Sequence, residues 1–355
     1  MGEWRLDKPM RQSQWNTFKN AAKGGPVDRP PVALIVDSPW MPGYLGIDHL
    51  DYYLDADAWF EANRRVMDEF PEVIFFPSWW VEYGMAIEPS AAGSRIHFHR
   101  DQPPGQSAVL LRLEDIEEYK AVNPLSDGLM PFALRQYRGV KQRILDAGYT
   151  IPVVVARGPL CMASFLRGVT EFMMDTVINP EGVHKLLRFT TDAVIRWLEA
   201  QAEAAGDTVD GILVLDDIPG MLSAPAYSEF AHPYLKEICD AFPEEWVKVY
   251  HNDANTRPFL GELAGAGFDV LNWSHKIPAA EAREKLGAGM CLMGNVAPLD
   301  LGVNGSAEEV KAAALECLAQ VDGKGIILSV GGGVSPGMPR ENIQALVEAA
   351  AEDNR

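Results

Sequence analysis

The sequence predicts an α/β protein: a single (β/α)8 TIM barrel over residues 31–355, preceded by an N-terminal helical arm at 1–30. Three observations predict it. Short apolar runs alternate with helical patterns from residue 31 onward, the order of successive βα units. Five of those runs, all in the C-terminal half, stop on polar or glycine residues, and barrels of this kind carry their chemistry at the C-terminal strand ends. With 355 residues, 47% of them hydrophobic, the chain can bury one large core.

The elements follow in order. Residues 1–30 are polar, with Trp4, Trp15 and Phe18 as anchors of one helix. PVALIVDSP (31–39) is the first strand. Asp55 is the N-cap of a helix over 56–70 that puts Trp59, Val66, Met67 and Phe70 on one face. VIFFPSWW (73–80) is the second strand. Residues 82–113 form a Pro- and Gly-rich excursion carrying Glu82, Glu88, His97 and His99, and a strand is expected within it. Helix 131–147 leads into PVVVARGP (152–159), and 161–176 reads as helical. Asn179 caps the next helix, with Pro180 at its first position. Strands at 211–216, 247–252, 268–273, 290–295 and 325–330 then alternate with helices at 225–241, 257–266, 279–286 and 339–351. Ser306 and Glu309 form a capping box before a helix between the last two strands.

Charge narrows the partners. Lys and Arg number 31 against 50 Asp and Glu, a formal net charge of −19, which argues against nucleic acid and anionic membranes. The four cysteines are far apart and form no C-x-x-C pattern, so no thiolate cluster is written locally. The start, MGEWRLDKPMRQ, lacks the apolar stretch of a signal peptide, and no apolar run reaches the ~18 residues of a membrane span. A cytoplasmic enzyme acting on a small molecule is expected; a homodimer stays open.

The strand ends supply the candidate residues. VKVYHND (247–253) ends on His251 and Asp253, two apart and so on one side of a strand. GILVLDD (211–217) ends on Asp216 and Asp217. FDVLNWSH (268–275) ends on His275, MCLMGNVAP (290–298) on Gly-Asn with Asn295, and GIILSVGGGVSP (325–336) on a triplet containing Gly332. Each has a plainer alternative. His251 and Asp253 are either metal ligands or a hydrogen-bonded pair, and the two aspartates are either site residues or part of a helix cap or surface turn. His97 and His99 either share a pocket or face solvent on a hairpin. Trp79 and Tyr83 either line an aromatic pocket or pack in the core.

Three further stretches carry a resemblance: GPLCMASFLRG (158–168) with DTVINPEGVHKLL (175–187), GNVAP (294–298), and SVGGGVSPGMPRENIQALVEA (329–349). Together they resemble the uroporphyrinogen decarboxylase superfamily, which includes cobalamin-linked methyltransferases. The departures steer the expectation. The arginine-bearing segment that grips substrate carboxylates in true decarboxylases is replaced by DSPWMPGYLG (37–46). Where thiol-activating members have zinc-binding cysteines, this chain has Asp253 and Gly332. What remains is a harder metal site, zinc by preference, of His251 and Asp253 with Asp216 or Asp217. The Glu/Glu/His site of some O-demethylases would instead draw on Asp216, Glu229 and His251. The resemblance thus implies a methyltransferase of O-demethylase type acting on a small methoxylated aromatic. His251, Asp217 and His275 are its catalytic residues, and Asp37, Trp79, Tyr83, Asn295 and Gly332 bind substrate. No D-x-H-x-x-G motif is present, so the corrinoid is expected on a partner protein. The alternatives are a decarboxylase of an aromatic or tetrapyrrole acid, with Asp37 or Asp217 stabilising charge, and a non-catalytic ligand-binding barrel.

Overall fold

A computed structural model describes residues 12–353; Trp4 lies outside the described residues. Eight parallel strands curl into one sheet wrapped by helices, the (β/α)8 barrel. The strands are β1 Val32–Ile35, β2 Val73–Phe76, β3 Val153–Arg157, β4 Gly211–Leu215, β5 Val247–Asn252, β6 Val270–Trp273, β7 Cys291–Val296 and β8 Ile326–Val330. Their lateral order is β2-β1-β8-β7-β6-β5-β4-β3. Nearly every strand residue is buried, as a sheet covered on both faces requires.

No barrel strand lies in the 82–113 excursion, contrary to expectation. That segment holds only a short antiparallel hairpin, Ile96–His97 with Gly105–Gln106. His97 is exposed on it and its Nε2 meets Ser107 Oγ at 3.0 Å, so the solvated alternative applies to this histidine. The detour between β2 and β3 leaves a seam without a ladder among the described residues. Side chains bridge the seam: Glu88 accepts the Arg157 N–H (2.7 Å), and the Tyr137 hydroxyl accepts the Val81 N–H (3.0 Å).

The expected caps are formed. Asp55 accepts from the N–H groups of Asp57 and Ala58, Asn179 from that of Gly182, and Ser306 and Glu309 make the reciprocal box. Three helices are shorter or broken where the periodicity alone suggested continuity. Helix 161–176 becomes Pro159–Arg167 and Val169–Ile178, split at Gly168. Helix 225–241 splits into Ala224–Phe230 and His232–Asp240, because Pro233 supplies no N–H to continue the first segment. Pro258 likewise defers the following turn to Leu260–Leu263.

The arm helix, Gln12–Ala22, closes the barrel floor. Phe18 is fully buried, stacked between Trp15 and Phe76. The Trp15 indole donates to Asp210, while Lys19 and Lys23 reach Asp210 (2.8 Å) and Asp269 (2.9 Å) at the N-terminal ends of β4 and β6. Trp15→Phe keeps the apolar contact and removes the donor. It is expected to cost about 1 kcal/mol, measured as a lower urea midpoint with an unchanged slope. No helix among the described residues is long and apolar enough to cross a membrane.

Candidate functional site

The strand ends converge at the opposite, C-terminal mouth. Three side chains meet there: Asp217 just past β4, His251 on β5 and Asp253 just past β5. One ligand atom from each lies within 4.8 Å of the others. His251 is buried, Asp217 partly exposed and Asp253 at the rim. His251 Nε2 faces Asp217 Oδ1 at 3.7 Å, and the Asp253 N–H donates to the same oxygen at 3.1 Å.

A residue that sequence reasoning missed fixes the imidazole. Asn272 pairs with His251 across the β5–β6 ladder, and its Oδ1 lies 2.7 Å from His251 Nδ1. Its amide nitrogen donates to the carbonyls of Met293 (2.7 Å) and Val330 (3.2 Å). The amide orientation is therefore set by two carbonyls, and Oδ1 must accept from the ring. Nδ1 carries the hydrogen, which leaves the Nε2 lone pair for the mouth. Histidines that bind metals are held in this way, by a partner on the other nitrogen. The only signal of it in the sequence is a polar residue inside the apolar run FDVLNWSH.

Gly332 acts through its missing side chain. Its φ is +134°, and a Cβ there would stand 2.6 Å from Asp253 Oδ2. The absent methyl makes room for the carboxylate, so Gly332 shapes the cluster from the end of β8. Burial raises the Asp253 carboxyl above the ordinary range; the neighbouring Asp217 adds to this, while His251 and His275 oppose it. An imidazole with two carboxylates, and no thiolate, is a donor set for zinc or a harder divalent ion. All four cysteines are unpaired and buried, and burial pushes the thiols of Cys291 and Cys317 up to about 12 and about 11. Asn272→Leu is expected to lower metal affinity about 10- to 100-fold with the three donors intact; competition with a chromogenic chelator measures it.

Asp216 is not brought to this cluster. It is fully buried, and its carboxylate accepts the N–H groups of Leu160 (2.9 Å) and Cys161 (2.8 Å), capping helix Pro159–Arg167. Burial raises its pKa to about 7 although both amides pull it down. Gly158 is required beside it, since a Cβ there would come within 2.4 Å of Asp216. Glu229 is also elsewhere, half exposed on the outer helix Ala224–Phe230, 3.6 Å from His184. Trp79 is completely buried among Trp59, Phe60 and Tyr149, where it packs as core. Asn295 donates to the Ile277 carbonyl (2.8 Å) and holds the loop after β6. His275 sits in that loop, half-buried, with its backbone pressed against Gly331, and it lies close enough to Asp253 to act on its charge.

Asp37 occupies the other wall of the mouth. Burial raises its pKa to about 6, against the pull of Arg157 and His251. Beside it, buried Glu82 accepts from the Ser38 N–H and, at 2.8 Å, from the Ser38 hydroxyl. Burial, and then the charge of Asp37, raises Glu82 to about 8. Tyr83 stands near this pair, its ring 5.8 Å from that of Tyr53. A cavity of about 330 Å³ opens beside Asp253, walled by Asn255, Arg257, Ser274 and Lys276. A cavity of about 470 Å³ under the arm helix is at the barrel floor and shares no residue with the mouth cluster.

Comparison with known proteins places the chain. A uroporphyrinogen decarboxylase from Chlorobaculum parvum is 32% identical over 184 residues, and this match spans about half of each chain. One from Anaeromyxobacter sp. is 24% identical over 357 residues, covering 94% of this chain and 97% of the relative. Among solved structures, a methyltransferase from Methanosarcina mazei superposes with a TM-score of 0.81 at 24% identity, over 96% of this chain and 98% of that one. The family model for uroporphyrinogen decarboxylase (URO-D) matches residues 14–352. The chain therefore belongs to the URO-D family.

Proposed function

We propose that this protein is a methyltransferase that moves a methyl group between a small methoxylated substrate and a corrinoid carried on a partner protein. The observation that carries the reading is the cluster of Asp217, His251 and Asp253 at the mouth, with His251 locked by Asn272. The methyltransferase from Methanosarcina mazei is consistent with it in fold. In the reaction the methyl carbon leaves an ether oxygen and passes to cobalt(I), a strong nucleophile. The C–O electron pair stays on the oxygen, which then takes a proton. The oxygen is a poor leaving group, so the site must stabilise its developing charge.

His251, Asp217 and Asp253 would hold a divalent ion, zinc by preference, which would polarise that oxygen as a Lewis acid. Asn272 keeps the His251 lone pair aimed outward, so no reorganisation is needed. The carboxyl of Asp37, on the facing wall and raised to about 6, is protonated more readily than an ordinary aspartate and can supply a proton to the oxygen in mildly acidic solution. His251 and Asn272 are buried, so the hydrogen bond that orients the imidazole is kept from water.

The test mixes zinc-loaded enzyme, a reduced corrinoid protein and a panel of methoxylated aromatics, and follows methylcobalamin by absorbance. Product with at least one ether is the expected result. No methylcobalamin across ethers and amines, with carbon dioxide released from an aromatic acid, would replace the reading with decarboxylation. Silence in both assays with tight ligand binding would leave a binding protein.

A further inference from the structure

The end of β3 holds a group that neither the metal cluster nor the fold accounts for. Arg157 is the last residue of that strand and only 6% exposed. A buried guanidinium ordinarily meets a carboxylate, because removing its charge from water is costly. Among the described residues Arg157 has no carboxylate oxygen within ion-pair distance. Its Nη2 makes one long hydrogen bond, 3.4 Å to the Gly84 carbonyl, and its buried Nε has no partner. Its backbone N–H is occupied by Glu88, which fixes the residue, and its guanidinium lies over the Trp80 ring at 5.5 Å.

A second orphan lies in the same place. Tyr53 is 2% exposed, and its hydroxyl is in no hydrogen bond of good geometry, although Ser38 is near. Arg157, Asp37 and Glu82 all act on the charge of Tyr53, so the four groups form one neighbourhood. Asp37 in turn is acted on by both Arg157 and His251, which puts the guanidinium on the mouth side of the barrel. Asp37, Glu82 and Glu88 all feel the charge of Arg157, but none of them forms an ion pair with it among the described residues.

We propose that Arg157, with the Tyr53 hydroxyl, binds a carboxylate of the substrate, so that the substrate class is a small aromatic acid. The guanidinium presents parallel N–H donors that match a planar carboxylate. Trp80, under the guanidinium, and Tyr83, packed on Tyr53, are the aromatic neighbours of that position. This inference rests on the methyl-transfer reading for the role of the bound acid, but the site itself is tested by binding alone.

Calorimetry on the intact protein, with 4-methoxybenzoate, 4-methoxybenzamide and methoxybenzene, decides it. The benzoate should bind more tightly than the neutral pair. Arg157→Met should weaken the benzoate about 10- to 100-fold and leave the amide unchanged, while Arg157→Lys should recover part of the loss. Circular dichroism and melting temperature check the fold. If Arg157→Met does not fold, the wild-type preference and Arg157→Lys decide the question. Equal binding of acid and amide, a preference untouched by either substitution, or no carboxylate binding at all overturns the proposal. Methyl transfer from neutral ethers alone would overturn it and keep the methyltransferase reading. Arg157-dependent benzoate binding without methyl transfer would do the reverse.

Discussion

His251→Ala is expected to lower methyl transfer at least about 10³-fold, the scale set by losing a preorganised electrostatic contribution to charge development. It should also reduce bound zinc from near one equivalent to well below it, measured by elemental analysis after dialysis. The argument is geometric. Asp217 and Asp253 sit on loops past their strands, whereas His251 is the one cluster donor inside a strand and the one held by a buried partner. Without it, two partly exposed carboxylates remain, and such a pair binds zinc weakly. The fold should survive. The substitution leaves Asn272 Oδ1 short of one donor, at a cost of about 1–2 kcal/mol, which lowers the melting temperature by only a few degrees in a chain of this size. If zinc content and activity are unchanged in a folded variant, the cluster is not a metal site.

Asp216→Ala is expected to be the more damaging change for stability. It removes the acceptor for two buried backbone N–H groups, those of Leu160 and Cys161. Each orphaned donor costs about 1–3 kcal/mol, and a lost N-cap is typically ~1 kcal/mol of that. A loss of about 2–6 kcal/mol follows, read from the urea midpoint. Zinc binding in the fraction that folds should be near wild type, since Asp216 is not among the donors. A variant that loses zinc but not stability would put Asp216 back in the site. Neighbouring Asp217→Ala should do the opposite, sparing stability and weakening the metal.

That contrast shows how far the sequence can be read. GILVLDD announces two carboxylates at a strand end, but adjacent residues leave a strand in different directions. Which one reaches the mouth depends on what faces each of them. Asp216 meets the first amides of a helix from the preceding βα unit, 55 residues earlier in the chain. Glu229 sits near the required spacing, though not at it, and its helix ends at Phe230 and lies on the outer layer. Trp79 has the chemistry of a pocket wall, yet packing places Trp59, Phe60 and Tyr149 around it.

The sequence by itself determined the strand–helix alternation, the caps at Asp55, Asn179 and Ser306, and the pairing of His251 with Asp253. All of these are local. A cap joins residues three apart, and a strand returns to the same face every two residues. Only the tertiary structure decided that Asn272 stands opposite His251, that Gly332 makes room for Asp253, and that Arg157 is buried without an ion pair. Each depends on the register between strands distant in the chain, set by closure of the whole barrel around its core, a property that no short stretch of sequence carries.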